Sequence, residues 1–130
     1  KVIEEIVIDK PILTTKDRGV AKSKVDKNGK SAKTTVYPLL VEGNKSKIKL
    51  VIESGRTHQI RVHLSAIGCP LLGDKTYSQN IYGHKYAQIA LRHMLHASNL
   101  SFELNNEKFE FHSSLPEDFQ RIIKIFEDVK

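Results

Sequence analysis

The sequence predicts an α+β fold with a mixed, mainly antiparallel sheet and short flanking helices. Three observations indicate this class: apolar and basic side chains alternate over residues 45–53, strand-like runs are separated by short polar turns, and a segment near the C-terminus has amphipathic helical spacing. The length of 130 residues fits one domain or one lobe of a larger domain. With 39% hydrophobic residues, the chain can form a core without disulfides or metal.

Three strands are predicted in the first half of the chain, over residues 2–8, 32–41 and 45–53. The first is rich in β-branched residues and is bounded by Pro11, which interrupts strand pairing. The other two are separated by the polar turn of residues 42–44, so they should form an antiparallel hairpin.

The stretch of residues 14–31 is rich in lysine and has few large apolar side chains. It is predicted to be a long loop or a hairpin arm, with Asn28-Gly29 as its sharpest turn signal. Residues 1–50 carry twelve basic and six acidic side chains, whereas residues 51–130 carry nine of each, so the net charge of +6 comes from the first part. Such a one-sided surplus is typical of a protein that binds a polyanion, and a solvated lysine-rich loop is the alternative.

Residues 57–68 fit either a strand or a helix by periodicity alone. Ser54 or Thr57 can cap a helix N-terminus, and Gly68 followed by Pro70 can end a helix, so a short helix is predicted. Three polar side chains should share the side opposite its apolar stripe: Arg56, Gln59 and His63.

The C-terminal third is predicted to hold a second hairpin and a helix. Residues 95–104 and 108–112 should pair around the turn of residues 105–107. Pro116 then opens an amphipathic helix. Its first turn carries two acidic side chains, Glu117 and Asp118. Its buried face is expected to be apolar and to comprise Phe119, Ile122, Ile123 and Phe126.

The cysteine content and hydropathy indicate the compartment. Cys69 is the one cysteine, which excludes a disulfide framework and multi-cysteine zinc sites and fits a reducing environment. The sequence has no run of about 18 apolar residues, as a membrane-spanning helix would require. We therefore expect a soluble, cytoplasmic protein. Because residue 1 is Lys1 and not methionine, we also expect the chain to be cut from something longer.

The segment of residues 54–61, SGRTHQIR, carries the strongest candidate chemistry. A glycine before Arg56 places a cation where a strand becomes a helix, and such a junction presents backbone N–H groups and a fixed side chain to an anion. Taken alone, the pattern also fits a surface arginine followed by two satisfied polar residues, His58 and His63.

Four motifs in order carry a resemblance to a known family. They are GKSAKT at residues 29–34 with Tyr37, GRTHQIRVH at 55–63, GCPLLGD at 68–74 with Tyr77, and LHA at 95–97 leading to Leu100 and Phe102. This arrangement resembles the RNA pseudouridine synthases of the RluA type, which isomerise uridine in ribosomal or transfer RNA. The resemblance covers nearly the whole chain.

Two departures from the family's pattern matter. Ser78 stands where the family usually has glycine, which affects only a local turn. The family's nucleophilic aspartate lies in a His-Arg-Leu-Asp segment, and no such segment occurs in these residues. The resemblance therefore implies that residues 1–130 are the C-terminal lobe of the catalytic domain, that their partner is the missing N-terminal part, and that the isolated chain is inactive.

The resemblance also implies roles for individual residues. Arg56 is the expected catalytic arginine, the partner of an aspartate outside this chain. The expected substrate pocket comprises Leu95, His96 and Gln59, although Leu95 could equally be ordinary sheet core and Gln59 could brace the pocket. The side chains expected to contact structured RNA are Lys22, Lys24, Lys27, Lys33, Arg61 and Arg92, with an ion-pair role as the alternative for Arg61.

Neither a cofactor nor a metal is implied. His93 and His96 have no third ligand at suitable spacing, and the family needs none. Asp74 is expected to fasten a turn by bonding its own backbone. Two other classes of function remain open at this point: a non-catalytic RNA-binding module and a protein-interaction domain.

Overall fold

The computed structural model describes residues 1–43, 45–77, 90 and 92–128, with nothing described for the side chains of residues 126–128. Within these residues the predicted α+β class is confirmed, and every strand pair is antiparallel. The strands are β1 (Ile6–Asp9), β2 (Ile12–Asp17), β3 (Val20–Val25), β4 (Lys33–Glu42), β5 (Lys45–Ile52), β6 (Asn99–Leu104) and β7 (Glu107–His112), and the helices are α1 (Gln59–Ala66) and α2 (Glu117–Asp128). In this part of the chain no helix is long and apolar enough to cross a membrane.

The three-stranded sheet has the order β1-β4-β5 and confirms the predicted hairpin of its last two strands. Because β1 pairs with β4 only as far as Val36, Pro38 lies where one side of β4 has no partner among the described strands, the kind of position that tolerates proline. The register of β4 against β5 shifts between Pro38 and Leu40. The irregularity thus falls outside the three-strand overlap that forms the core.

Helix α1 covers one face of this sheet and links two apolar clusters. Its Leu64 belongs to the main core cluster, with Val2, Ile8, Val36 and Leu71. Its Val62 belongs to a second cluster, with Ile12, Ala32 and Tyr77. A helix of eight residues is marginal by itself, so the burial of these two side chains, worth about 1.5–3 kcal/mol each, holds it in place.

The lysine-rich stretch forms a regular hairpin, β2–β3, as one of the two predicted alternatives. The predicted turn at Asn28-Gly29 is confirmed as a separate turn after β3, in which the Gly29 N–H donates to the Asp26 carbonyl at 2.9 Å. The hairpin itself reverses at Arg18-Gly19, where both residues have positive φ, 53° and 82°. Gly29 also allows a close contact, because a Cβ there would come within 2.3 Å of the carbonyl carbon of Ile12. The Asn28-Gly29 signal therefore marks both a turn and a close approach of two backbone segments, with Lys30 bridged to Ile12.

Helix α1 starts later than predicted and without either predicted cap. His58 occupies the N-cap position with φ 54°, and its side chain makes no capping hydrogen bond. The predicted stop is confirmed: Gly68 has φ 77°, its N–H bonds the Ser65 carbonyl, and the Cys69 N–H bonds the Leu64 carbonyl. This pattern is a Schellman motif.

In the C-terminal part, the second hairpin is shorter than predicted. Strand β6 begins at Asn99, and residues 93–98 before it form no regular element. Helix α2 begins at Glu117, and the Pro116 carbonyl accepts the first helical hydrogen bond, as predicted. Three predictions lie outside the described residues: the turn at Asn44, the consequence of Ser78, and the packing of the Phe126 side chain.

Candidate functional site

The centre of the candidate site is Arg56, in the short segment between β5 and α1. Its Nε donates to the Ser31 carbonyl at 2.9 Å, and its backbone N–H donates to the Gln59 Oε1 atom at 3.1 Å. Among the described residues, no acidic side chain pairs with Arg56 and its terminal amino groups make no hydrogen bond. With respect to the described residues, the guanidinium is thus anchored at one nitrogen and open at its outer end, which suits two-pronged binding of a carboxylate or phosphate.

Gln59, the first residue of α1, is buried and fully engaged by protein groups. Its Oε1 accepts from the Ser54 hydroxyl and the Arg56 N–H at 3.0 and 3.1 Å. Its Nε2 donates to the Lys33 carbonyl and to Thr34 Oγ1 at 2.9 and 3.1 Å. A carboxamide has two donors and two principal acceptor positions, so this arrangement leaves none for substrate. Of the two expected roles, the structure favours bracing over substrate contact.

His63 lies one turn beyond Gln59 and is fully buried. Its Nε2 lies 2.8 Å from the Lys10 carbonyl, and its Nδ1 lies 2.7 Å from Thr34 Oγ1. The side of α1 that carries Gln59 and His63 is therefore a buried polar face, which is hydrogen-bonded to Thr34 of β4. Arg56, which was expected on the same side, precedes the helix and is not part of it. Within the described residues, no buried side-chain polar atom lacks a hydrogen bond.

Arg61 forms a bidentate ion pair with Asp74, at 3.0 and 2.9 Å. The Asp74 side chain is completely buried and that of Arg61 is 14% exposed. Burial favours a raised pKa for Asp74, but the hydrogen bonds from Arg61 and from the backbone of Tyr77 and Thr76 lower the pKa below its ordinary value. The structure favours the ion-pair alternative for Arg61 over an RNA contact, because its donors face a buried carboxylate.

The prediction that Asp74 fastens a turn is confirmed. Its Oδ1 accepts from the backbone N–H groups of Thr76 and Tyr77 at 3.1 and 3.2 Å. The carboxylate therefore organises the turn that carries Tyr77, whose ring lies under the Arg61 guanidinium at 5.0 Å.

Arg92 is also engaged by protein groups. Its Nε and one terminal nitrogen donate to Asp118 at 2.8 and 3.1 Å, and its other terminal nitrogen donates to the carbonyls of His93 and Leu95. The hydrogen bond from Arg92 lowers the pKa of Asp118. Arg92 therefore links the 92–95 segment to α2 in this structure, and its expected RNA contact stays a prediction.

Leu95 and His96 do not lie on a strand, contrary to the prediction. Leu95 is half-buried and packs against the main core cluster, which fits the alternative of an ordinary core position. The Met94 N–H donates to the Leu72 carbonyl at 2.8 Å, and the His96 Nε2 lies 3.1 Å from the Ser113 carbonyl. Of the three expected pocket residues, the structure joins Gln59 to Arg56 directly and ties the other two to the core and to Ser113.

Tyr77 has contacts that sequence reasoning missed. Its hydroxyl accepts from the Ser23 N–H at 3.1 Å and lies 2.7 Å from His58 Nδ1, so it fastens the β2–β3 hairpin to the start of α1. Burial and the charge of Arg61 lower the pKa of His58, against an opposing effect of Asp74. The motif at residues 68–74 predicted a turn before Tyr77, but no local signal indicates a partner 54 residues away.

The lysines expected to contact RNA lie on open surface. In β3, Ser23 is buried toward α1 and Tyr77, so Lys22 and Lys24 project from the opposite face of the hairpin. Lys24 makes a loose pair with Asp26 at 3.7 Å. Lys27 and Lys33 are exposed as well. No three His, Cys, Asp or Glu side chains group as metal ligands in the part of the chain that is described.

Comparison with known proteins gives consistent results. The family described as RNA pseudouridylate synthase matches residues 2–66. An RNA pseudouridine synthase of Bacillus subtilis (strain 168), YjbO, is 37% identical over 122 residues, covering 92% of this chain and 41% of the relative. An RNA pseudouridine synthase of Helicobacter pylori (strain ATCC 700392 / 26695) is 38% identical over 117 residues, covering 90% and 44%.

A third relative and a solved structure extend the comparison. The ribosomal large subunit pseudouridine synthase D of Zymomonas mobilis is 36% identical over 105 residues, covering 77% of this chain and 33% of the relative. The solved structure of human RNA pseudouridylate synthase domain containing 4 has the same fold, with a TM-score of 0.72 and 23% identity, over 95% of this chain and 57% of that one. The chain thus spans less than half the length of these curated relatives.

Proposed function

The chain belongs to the RNA pseudouridylate synthase family, and from this premise we propose that it forms part of an enzyme that isomerises uridine to pseudouridine in ribosomal or transfer RNA. The observation that carries the proposal is the open guanidinium of Arg56. It stands in the matching motif, it is anchored at Nε, and no acid among the described residues engages it.

The chemistry explains why such a group is needed. A uracil must leave the base stack, and the energy of unstacking must be recovered by contacts in the pocket. The glycosidic bond then breaks and the ring reattaches through carbon, a step that uses a carboxylate in a partly desolvated pocket. An arginine beside that carboxylate keeps it ionised and orients it. In the proposal Arg56 fills this role, and no cofactor takes part.

The carboxylate itself is proposed to come from outside these 130 residues. The sequence contains no His-Arg-Leu-Asp segment, and Asp74, the acid within the matching motifs, is consumed by Arg61 and its own turn. We place residues 1–130 as the C-terminal lobe of the catalytic domain, which fits their share of the relatives' length. The partner would be the N-terminal part of that domain, and we propose that the enzyme acts in the cytoplasm.

The test is release of tritium from RNA labelled at uracil C5. The isolated chain should release none above background, because Arg56 lacks its carboxylate partner. A longer chain that includes the native residues preceding Lys1 should release tritium from the same RNA. Release by the 130 residues alone would contradict the two-part site, and no release by the longer chain would contradict the proposed activity.

A second candidate, a non-catalytic RNA-binding module, is favoured by one observation. Lys22 and Lys24 project together from the outer face of the β2–β3 hairpin, where they can neutralise phosphates without any chemistry. A His-Arg-Leu-Asp-like segment encoded upstream would favour the enzyme, and an unrelated domain there would favour the module. Titration with structured RNA at two salt concentrations separates both from a protein-interaction domain, which predicts no salt-dependent RNA affinity.

A further inference from the structure

We propose that Gln59 is the positioning residue of the Arg56 guanidinium. Its carboxamide fixes both the backbone that carries the guanidinium and the strand segment whose carbonyl receives it. The geometric part of the inference stands on this chain alone, and only its consequence for turnover rests on the proposed function.

Arg56 is held at two points, and both lead to Gln59. The Arg56 backbone N–H donates to Gln59 Oε1 at 3.1 Å. The Arg56 Nε donates to the carbonyl of Ser31, and two residues along the chain the Lys33 carbonyl accepts from Gln59 Nε2 at 2.9 Å. One carboxamide therefore ties the start of the guanidinium's side chain to the segment at which that side chain ends.

The orientation of this carboxamide is set by two backbone groups. A carbonyl oxygen can only accept, so the Gln59 atom facing the Lys33 carbonyl must be the donor Nε2. A backbone N–H can only donate, so the atom facing Arg56 must be Oε1. In this orientation Nε2 also donates to Thr34 Oγ1, which lies 2.7 Å from His63 Nδ1. The direction of the Arg56 anchor thus follows from Lys33 and Arg56 themselves, without any choice of amide flip.

The side chain at position 59 must meet two requirements that few residues satisfy together. It must accept from the Arg56 N–H and, from the same end group, donate to the Lys33 carbonyl. Glutamate provides only acceptors when ionised, methionine provides no strong donor or acceptor, and asparagine is one methylene shorter. A purely stabilising role would require burial and satisfied hydrogen bonds, but not a link to both anchors of one open cation.

The experiment measures the mobility of the Arg56 Nε–Hε bond by ¹⁵N relaxation on the folded 130-residue chain. In the wild type we expect an order parameter typical of a rigid site, about 0.8, and in Gln59→Met a fall below about 0.6. Ser54→Ala is the matched control, because it removes one hydrogen bond to the same Oε1 and leaves both Arg56 anchors in place. Ser54→Ala should retain the wild-type value.

An unchanged order parameter in Gln59→Met would overturn the inference. If that variant does not fold, Gln59→Glu decides, because it keeps the acceptor for Arg56 and loses the donor to Lys33. Its order parameter should fall below those of the wild type and of Ser54→Ala, and a wild-type value would again overturn the inference. In the longer chain, Gln59→Met should lower kcat about tenfold or more with KM within a few-fold, as expected for loss of transition-state alignment.

The two proposals fail separately. If Arg56→Met leaves turnover of the longer chain unchanged, the catalytic role of Arg56 is wrong, while the relaxation measurement still decides whether Gln59 holds the guanidinium. If Arg56→Met abolishes turnover and Gln59→Met leaves kcat and mobility unchanged, the proposed function stands and this inference is wrong.

Discussion

Two arginines five residues apart in one motif have opposite surroundings. Arg61 gives two donors to a completely buried carboxylate and lies over an aromatic ring. Arg56 gives one donor to a backbone carbonyl, and no described acid engages it. The comparison shows that the two cations differ in whether a described acid engages them, which leaves Arg56 available for the role proposed above and Arg61 bound within the protein. Arg92, paired with Asp118, falls on the structural side.

The strongest way to test the structural side is Asp74→Ala. It leaves the Arg61 charge, which is only 14% exposed, without its partner, and it removes the acceptor of two turn N–H groups. We expect the free energy of unfolding to fall by about 3–5 kcal/mol, measured by urea denaturation at pH 7. Asp118→Ala is the control: it breaks a pair whose side chains are 39% and 44% exposed, so its effect should be much smaller. Equal losses in the two variants would remove the distinction between buried and open pairs.

The functional side is tested by Arg56→Met in the longer chain. Loss of the cation that keeps the catalytic carboxylate ionised and oriented should lower turnover by about 10²–10³-fold, with RNA affinity within a few-fold of wild type. Arg92→Met, which removes an arginine already paired with Asp118, should keep turnover within a few-fold. Equal losses of affinity and rate in Arg56→Met would instead make this arginine a phosphate anchor.

The sequence was most informative where the physical cause is local. Two strand-like runs separated by a polar turn predicted β4 and β5, with alternating side chains in the second run. Gly68 predicted the end of α1, because such signals act within a few residues. The sharpest turn signal did not mark the reversal of the β2–β3 hairpin, because Arg18, with φ 53°, adopts a conformation that its residue type does not suggest. Gly29 does lie in the turn that its residue type predicts, but the sequence does not indicate the backbone of Ile12 beside it.

The sequence singled out a candidate residue for the site but did not predict the arrangement of the side chains around it. The motif singled out Arg56, whose open guanidinium remains the best candidate. The role of Gln59 depends on Lys33 and Thr34, 26 and 25 residues earlier in the chain, and periodicity carries no information on such pairings. For the same reason the partners of Arg61 and Arg92 were left open or missed, and both were expected to reach RNA.

Exposed lysines should also contribute to RNA affinity. Substituting Lys22, Lys24 and Lys27 together tests this contribution. If each lysine contacts one phosphate, changing all three to glutamine should reduce the steepness of log affinity against log salt by about 2–3, since each phosphate contact contributes about 0.7–0.9. The control removes the same charge elsewhere, with Lys47, Lys49 and Lys108 changed to glutamine. A wild-type slope in the first variant, or equal reductions in both variants, would favour the alternative that the hairpin lysines are only solvated surface residues.

The smallest expected effect is a pH dependence of stability that arises from two histidines near Arg61 and Asp74. Burial and Arg61 lower the pKa of both His58 and His93 from the ordinary value of 6.5, while Asp74 opposes the shift. As the pH falls below 6.5, the unfolded chain therefore binds more protons than the folded chain. The contribution of these histidines to the free energy of unfolding is complete above pH 6.5 and decreases as the pH falls toward their lowered pKa values in the folded chain. Urea denaturation at pH 7, 6 and 5 should show this decline while the carboxylates stay largely ionised. In the double variant His58→Asn/His93→Asn, the free energy of unfolding should depend less on pH. Asparagine is chosen because it tolerates the left-handed backbone of residue 58. A wild-type pH profile in that variant would mean that other groups cause the decline.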